Sequence, residues 1–141
     1  MVITASGPFG KMVSALRRAK RIAVDVEGSS RHHYPDQVCL IQIATNDEIY
    51  IIDPLATIDI QLLEPIFADS SIEKVLHGSD YDLRSLHRDW GFQFRSVYDT
   101  HVAGRIGGYE NVGLSALIGD ILGINIPKDP KIQKADWKRR P

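Results

Sequence analysis

Cysteine is all but missing: Cys39 is the single one in 141 residues. One cysteine closes no intrachain disulfide, and its place inside the apolar run Val38-Cys39-Leu40-Ile41 makes it a small core residue rather than a nucleophile. That usage fits a reducing compartment, and a cytoplasmic protein is expected. Charge of one sign is lacking too. The formal net charge is −1, so no global field draws in a polyanion, and nucleic-acid contacts would have to come from local basic patches. No run approaches the ~20 apolar residues of a membrane span, and no secretory leader is visible, so no membrane partner is expected. There is no Gly-x4-Gly-Lys-Ser/Thr phosphate loop, no His-Glu-x-x-His and no Cys/His zinc spacing. His32 and His33, with His87 or His101, are therefore not read as zinc ligands. Gly107-Gly108 reads as a helix stop.

What is present is ordinary for a globular chain: 43% hydrophobic and 25% charged residues, enough for one domain over residues 1–141. Its most informative stretch is Ile22-Ala23-Val24-Asp25-Val26-Glu27-Gly28. Read as a strand, Ile22, Val24 and Val26 point one way and Ala23, Asp25 and Glu27 the other. Two acids side by side near a core repel each other and are poorly solvated. A divalent cation answers both problems, and an edge strand facing water is the alternative. The flanking aliphatic residues favour a central strand.

Around it the chain alternates. Val2–Thr4 reads as a short edge strand, and residues 9–20 as a helix through Met12, Val13, Leu16 and Ala19, its C-terminus rich in Arg17, Arg18, Lys20 and Arg21. A polar loop with Arg31, His32, His33 and Tyr34 leads to strands over residues 38–45 and 49–53, too close in sequence to be other than antiparallel. A short helix follows at Leu62, Leu63, Ile66 and Phe67, then a strand over residues 74–77. Gly78-Ser79-Asp80 opens a helix whose core face is Leu83, Leu86, His87 and Trp90, stopped by Gly91. A strand over residues 96–99 and helices over 101–106 and 114–122 complete the pattern. The tail from Pro127, with Lys128, Lys131, Lys134, Lys138, Arg139 and Arg140, has little periodicity. The expected fold is α/β: a mixed five-stranded sheet with one antiparallel strand, flanked by helices, the acidic strand central.

A third acid belongs with the first two. Asp82 lies in the first turn of the helix after the 74–77 strand, where that order of elements brings it beside Asp25 and Glu27. Ser79-Asp80-Tyr81-Asp82 also has the form of a capping box, in which Asp82 serves only backbone donors. His77, at the strand end, is either a catalytic base or a hydrogen-bonded structural residue. Arg31, His32 and Tyr34 either contact a phosphate or stack on a base, or form a solvated loop. Gly28 lets a terminal nucleotide approach the backbone, or serves a turn.

Taken together, Asp25-Val26-Glu27, the segment from Tyr34-Pro35 to Gln42, His77-Gly78-Ser79-Asp80-Tyr81-Asp82-Leu83, Tyr98-Asp99-Thr100, Gly113-Leu114-Ser115-Ala116-Leu117 and Asp136-Trp137-Lys138-Arg139-Arg140-Pro141 resemble the ribonuclease D branch of the DEDD 3′–5′ exonucleases, with a ribonuclease H-like fold. The resemblance covers nearly the whole chain. It implies hydrolysis of phosphodiester bonds at the single-stranded 3′ end of RNA, such as a tRNA precursor, to nucleoside 5′-monophosphates, with DNA as the alternative polymer. It implies two divalent cations, Mg²⁺ or Mn²⁺, about 3.5–4 Å apart, which want carboxylate oxygens. Asp25 would bridge both ions, Glu27 would hold the one that activates water, and Asp82 would act largely through the outer shell. Apart from the resemblance, Gly28, His77 and Tyr34 remain the candidates for substrate contact. The family's third motif, Tyr-x-x-x-Asp, is not in these residues, so the expectation is a domain incomplete at its C-terminus with impaired catalysis. A non-catalytic nucleic-acid or protein binding module is the rival reading.

Overall fold

The computed structural model describes residues 2–127 and 129–139. The expected Lys128, Arg140 and Pro141 of the tail lie outside the described residues. The elements are β1 (Val2–Ile3), α1 (Ser6–Leu16), β2 (Arg21–Gly28), β3 (Val38–Ala44), β4 (Ile49–Ile52), a 3₁₀ turn (Ile60–Leu63), α2 (Glu64–Phe67), β5 (Glu73–Leu76), α3 (Asp80–Trp90), β6 (Val97–Asp99), α4 (Thr100–Ile106), α5 (Leu114–Leu122) and α6 (Pro130–Gln133).

The sheet runs β1-β4-β3-β2-β5-β6. It has six strands rather than five, because Val2 and Ile3 pair in parallel with Ile51 and Ile52. β3 is antiparallel to both its neighbours, and every other pairing is parallel. β2 therefore lies in the middle, as its aliphatic residues require. Ile22, Val24 and Val26 are buried together with Ile41, Ile43, Tyr50, Ile52 and Leu76, under Phe9, Met12, Val13 and Leu16 of α1 and Leu86 of α3. Burying a side chain of this size is worth about 1.5–3 kcal/mol. Cys39 is fully buried, a core residue.

Two expectations need correcting here. α1 stops at Leu16 rather than reaching Lys20, because Arg18 N and Ala19 N bond to the carbonyls of Ala15 and Leu16, tightening the last turn toward β2. Arg17, Arg18 and Lys20 thus follow the helix instead of lining its last turn, and Arg21 pairs with Glu73. In α3, His87 is exposed, while Asp82, Ser85 and Leu86 are buried and Leu83 and Trp90 half-buried. The buried stripe of α3 is rotated toward the face that carries Asp82, and His87 Nδ1 donates instead to Phe92 O (3.2 Å).

Lys74 is the odd member of the core. It is fully buried in β5, and its ammonium donates to the carbonyls of Asp69 and Ile72, both at 2.6 Å. Those two carbonyls close the turn into β5, so the buried cation fastens the strand that precedes α3. Burial pushes its pKa down.

Candidate active site

The second face of β2 carries the acids. Asp25 pairs across with Gln42 and Glu27 with Leu40, and the register then shifts before Gly28 meets Val38. Such a bulge bends the strand end and re-aims its side chains. Asp25 stands on the floor of a concavity of about 350 Å³ lined by Ala23, Gln42, Val75, His77, Thr100 and Leu114 among others. Gln42 Nε2 donates to Asp25 Oδ2 (3.1 Å). β5 runs parallel to β2 and delivers the chain to α3, so Asp82 arrives near the C-terminal end of β2.

The electrostatics show the three acids to be one cluster. Asp82 is buried, with 6% of its surface exposed. Its carboxyl is pushed up to about 7 by burial, then by the charges of Asp25, Glu27 and Asp99. Glu27 is raised by burial and by Asp25. Asp25 is raised as well, chiefly by burial; its surface is open to a water molecule, but the protein crowded around the concavity leaves it poorly hydrated. Among the described residues no lysine or arginine pairs with any of the three.

Asp82 is not a helix cap. Ser79 has helical backbone angles and its side chain makes no capping bond within α3. The capping box expected there is replaced by a distant residue: Asp99 accepts from Gly78 N (3.0 Å) and Ser79 N (2.7 Å), and also from His101 N (2.8 Å) at the start of α4. One carboxylate thus holds two helix entries. Burial works to raise Asp99, but the backbone donors outweigh it and hold its carboxyl well below the usual range. Freed from capping, Asp82 turns toward β2.

His77 is fixed between Asp25 and α4. Thr100 Oγ1 donates to Leu76 O (3.0 Å), so its hydroxyl can only accept from His77 Nδ1 (2.9 Å). The neutral ring therefore carries its proton on Nδ1 and presents Nε2 as an acceptor. Burial and the neighbouring His101 ring, 5.5 Å away, lower its pKa.

Gly28 is explained by Tyr81. A Cβ at position 28 would lie 1.9 Å from Tyr81 Oη and 3.0 Å from Asp36 Oδ1. Tyr81 Oη donates to Asp36 Oδ2 (3.0 Å), which Arg88 Nη1 also reaches (3.2 Å). Burial raises Asp36, but these two donors more than offset it and leave its carboxyl lowered. Gly28→Ala is expected to push Tyr81 off Asp36 and cost about 2 kcal/mol, as for a broken hydrogen bond to a charged acceptor. Urea unfolding checks this, and Gly28→Ala in a Tyr81→Phe background should cost clearly less, because the clashing hydroxyl is gone.

The structure brings Asp25, Glu27 and Asp82 together, with Gly28 and His77 at their borders; Tyr34 is 99% exposed on the loop. A second cavity, of about 400 Å³, lies beside Glu27 and Gly28 and is completed by Ser30, Arg31, Tyr81, Ala135 and Trp137. Asp36 and Trp137 fall in segments that carry the family resemblance, but residue order gives neither them nor Arg88 a role, since Asp36 meets Tyr81 and Arg88 at least 45 residues away and the place of Trp137 depends on the tail's path.

With this geometry in place, comparison with known proteins is direct. The chain's residues 2–141 match the family model described as 3′-5′ exonuclease. The chain belongs to this 3′–5′ exonuclease family. It is 37% identical over 131 residues to the exosome complex component 10 homolog of Caenorhabditis elegans, covering 92% of this chain and 15% of that protein. It is 30% identical over 143 residues to ribonuclease D of Gluconacetobacter diazotrophicus, covering 100% of this chain and 36% of that protein. The crystal structure of Escherichia coli RNase D, an exoribonuclease involved in structured RNA processing, superposes with a TM-score of 0.88 at 28% identity, covering 100% of this chain and 37% of that one. The exonuclease-family fold that the resemblance implies is therefore the one observed, although the chain spans little more than a third of these relatives at most.

The donor set suits the cations on which the family generally depends. Three hard carboxylates, buried or crowded and without a basic partner among the described residues, supply oxygen ligands and an unanswered negative charge. Their convergence is looser: among the described residues no three His, Cys, Asp or Glu side chains meet closely enough to hold one ion.

Proposed function

We propose that Asp25, Glu27 and Asp82 bind two divalent cations, Mg²⁺ or Mn²⁺, and that the chain carries 3′–5′ exonuclease chemistry directed at the single-stranded 3′ end of RNA, in the cytoplasm. The substrate class includes the 3′ ends of structured RNA such as tRNA precursors, with DNA as the alternative polymer. The observation that carries this reading is a carboxylate buried in the first turn of α3, Asp82, which is pushed up to about 7 by that burial and then by the charges of Asp25 and Glu27 on β2. Packing three carboxylates into one cluster costs stability unless positive charge answers them.

Ions bound there would supply an activated water and stabilise the leaving oxygen of phosphodiester hydrolysis. The chain's own residues do the positioning. Asp25 and Glu27 present oxygens from the rigid central strand, and Asp82 presents its own from the first turn of α3. Asp25, Glu27 and Asp82 would hold the ions, with water or phosphate oxygen completing their shells. His77 Nε2 borders Asp25 as an acceptor for a water or ribose hydroxyl, and Tyr34 offers an exposed ring for stacking on a base. Gly28 lines the adjoining cavity, with the Tyr81 hydroxyl in the space a Cβ would take, so it shapes that cavity's wall through Tyr81.

No Tyr-x-x-x-Asp occurs in the 141 residues, so catalysis by this polypeptide is expected to fall at least about 100-fold below that of a domain with all four motifs. The test has two arms. Calorimetric titration with Mn²⁺ should show binding that Asp25→Asn weakens at least about tenfold; binding indifferent to that change overturns the metal assignment. A 3′-labelled single-stranded RNA should release only trace mononucleotide. Robust release that vanishes in Asp25→Ala overturns the dependence on the third motif, and RNA retention without metal binding favours the non-catalytic binding module.

A further inference from the structure

The tail is fastened to the loop after β2 by two histidines. His32 Nε2 donates to the carbonyl of Lys134 (3.0 Å), and His33 Nε2 donates to Asp136 Oδ1 (3.0 Å). Both ends of this fastening are themselves held. On the loop side, Ser29 is buried; its carbonyl accepts from His32 N and His33 N, both at 2.9 Å, and its hydroxyl accepts from Gln37 N (3.0 Å). Ser29 directly follows Glu27 and Gly28. On the tail side, Asp136 Oδ1 also accepts from Lys138 N (3.2 Å), its Oδ2 lies 3.4 Å from Arg139 Nε, and its carbonyl accepts from Arg139 N (3.0 Å). The Asp136 carboxylate therefore shapes the turn that contains Trp137, as acid-led turns do, and ties that turn to His33. The remaining wall of the cavity beside Glu27 is made by Ala135 and Trp137.

We infer that His33 and Asp136 are positioning residues: their pairing seats the turn 136–139, makes Trp137 the outer wall of the cavity whose inner wall carries Glu27, and so governs how a terminal nucleoside is gripped there. The nucleoside part rests on the exonuclease reading; the seating of Trp137 does not. The path is a closed ring, from Glu27 through Ser29 and His33 to Asp136, Trp137 and back across the cavity. Trp137, Arg31 and Tyr81 all line the cavity, and an indole, a guanidinium and a phenol ring offer stacking surfaces that suit a nucleobase whatever its identity. His33 reaches neither Glu27 nor the cavity itself, so its action is through Asp136.

The experiment uses the full 141-residue chain with Trp90→Phe, leaving Trp137 as the sole indole. Acrylamide quenching of Trp137 emission reads the seating without any ligand. Adenosine 5′-monophosphate titrated in the presence of Mn²⁺ reads the cavity, and Mn²⁺ calorimetry reads the carboxylates. His33→Ala and Asp136→Ala should each raise the quenching constant about twofold and weaken mononucleotide binding about tenfold, with Mn²⁺ affinity unchanged, the range seen when a residue that orients a binding group is lost. His33→Gln, whose amide can still donate to Asp136, should restore both readouts. Unchanged quenching in His33→Ala, or a His33→Gln variant that behaves like alanine, overturns the clasp. If mononucleotide fails to bind even the parent protein, the nucleoside part and the exonuclease reading both fall, while quenching still judges the seating.

Discussion

Asp82→Asn should make the protein more stable at pH 8, in the absence of divalent cations, by about 2–4 kcal/mol. The sign follows from the direction of the shift. The Asp82 carboxyl stands at about 7 in the folded chain against 3.8 for the ordinary group. A carboxyl whose folded-state pKa is raised binds its proton more tightly when folded. Stability is therefore fully retained below about pH 4, falls as pH climbs toward 7, and stays low above it. Asparagine carries no charge at any pH, so the gain over the parent chain should be near zero at pH 4, grow through pH 5–7 and level off above. Taking the difference between variant and parent cancels the opposite slopes of paired acids such as Asp36 and Asp99. Urea melts across that pH range make the measurement. A variant no more stable than its parent at pH 8 would show that the three acids do not strain one another. Mn²⁺ at a hundred times its dissociation constant should restore about 2.7 kcal/mol to the parent chain and much less to the variant. A single side chain would thus be shown to cost stability in exchange for a cation site, the trade expected where function rather than folding selects the residue.

Asp99→Ala should act in the other direction, costing about 3 kcal/mol and lowering Tm by about 10 °C. The carboxylate accepts from Gly78 N, Ser79 N and His101 N, so its loss strips the entries of α3 and α4 together. Single caps are worth about 1 kcal/mol each, and bonds to a charged acceptor more. Asn is expected to recover only part of the loss: with its oxygen in the place of Oδ1 it still accepts from Gly78 N and His101 N, but its amide nitrogen, in the place of Oδ2, cannot accept from Ser79 N. The pH signature is the mirror image of that of Asp82. Asp99 has its carboxyl held well below the usual range, so its contribution is complete above about pH 4 and is lost as pH falls further. Thermal melts at pH 7 and pH 3 separate the two: the penalty of Asp99→Ala shrinks toward pH 3, whereas the benefit of Asp82→Asn is already gone at pH 4. A loss under 1 kcal/mol at pH 7 would mean that water satisfies the two helix starts unaided. Because α3 carries Asp82, the same substitution should also weaken Mn²⁺ binding, although Asp99 is not proposed as a ligand.

These two aspartates mark the boundary of what residues in order can reveal. The alternation of Ile22, Val24 and Val26 with Ala23, Asp25 and Glu27 is enough to fix a half-buried strand and to set both acids on one face, since side chains on a strand repeat every two residues. The brief gap between Thr45 and Ile49 is enough to require an antiparallel hairpin. Gly91 and Gly123 announce the ends of α3 and α5, and both adopt the left-handed backbone that glycine tolerates. The hairpin, the central strand, the helix ends and the acids' identity as a candidate site were legible for these local reasons.

Tertiary structure decided the rest, wherever a residue's partner lies far along the chain. Ser79-Asp80-Tyr81-Asp82 has every mark of a self-contained cap. Yet the cap comes from Asp99, some 20 residues away, and that substitution releases Asp82 to join the acids of β2. Gly28 reads as a turn or a place for substrate; only the fold shows Tyr81 Oη resting where a Cβ would stand. His33 and Asp136 are about a hundred residues apart, and their meeting depends on where the tail travels after α5. Local sequence determined which residues are strand, helix and acid, because those choices obey short periodicities. Which acids face one another, and which donors silence the alternatives, is settled by long-range packing, for which a linear pattern has no period.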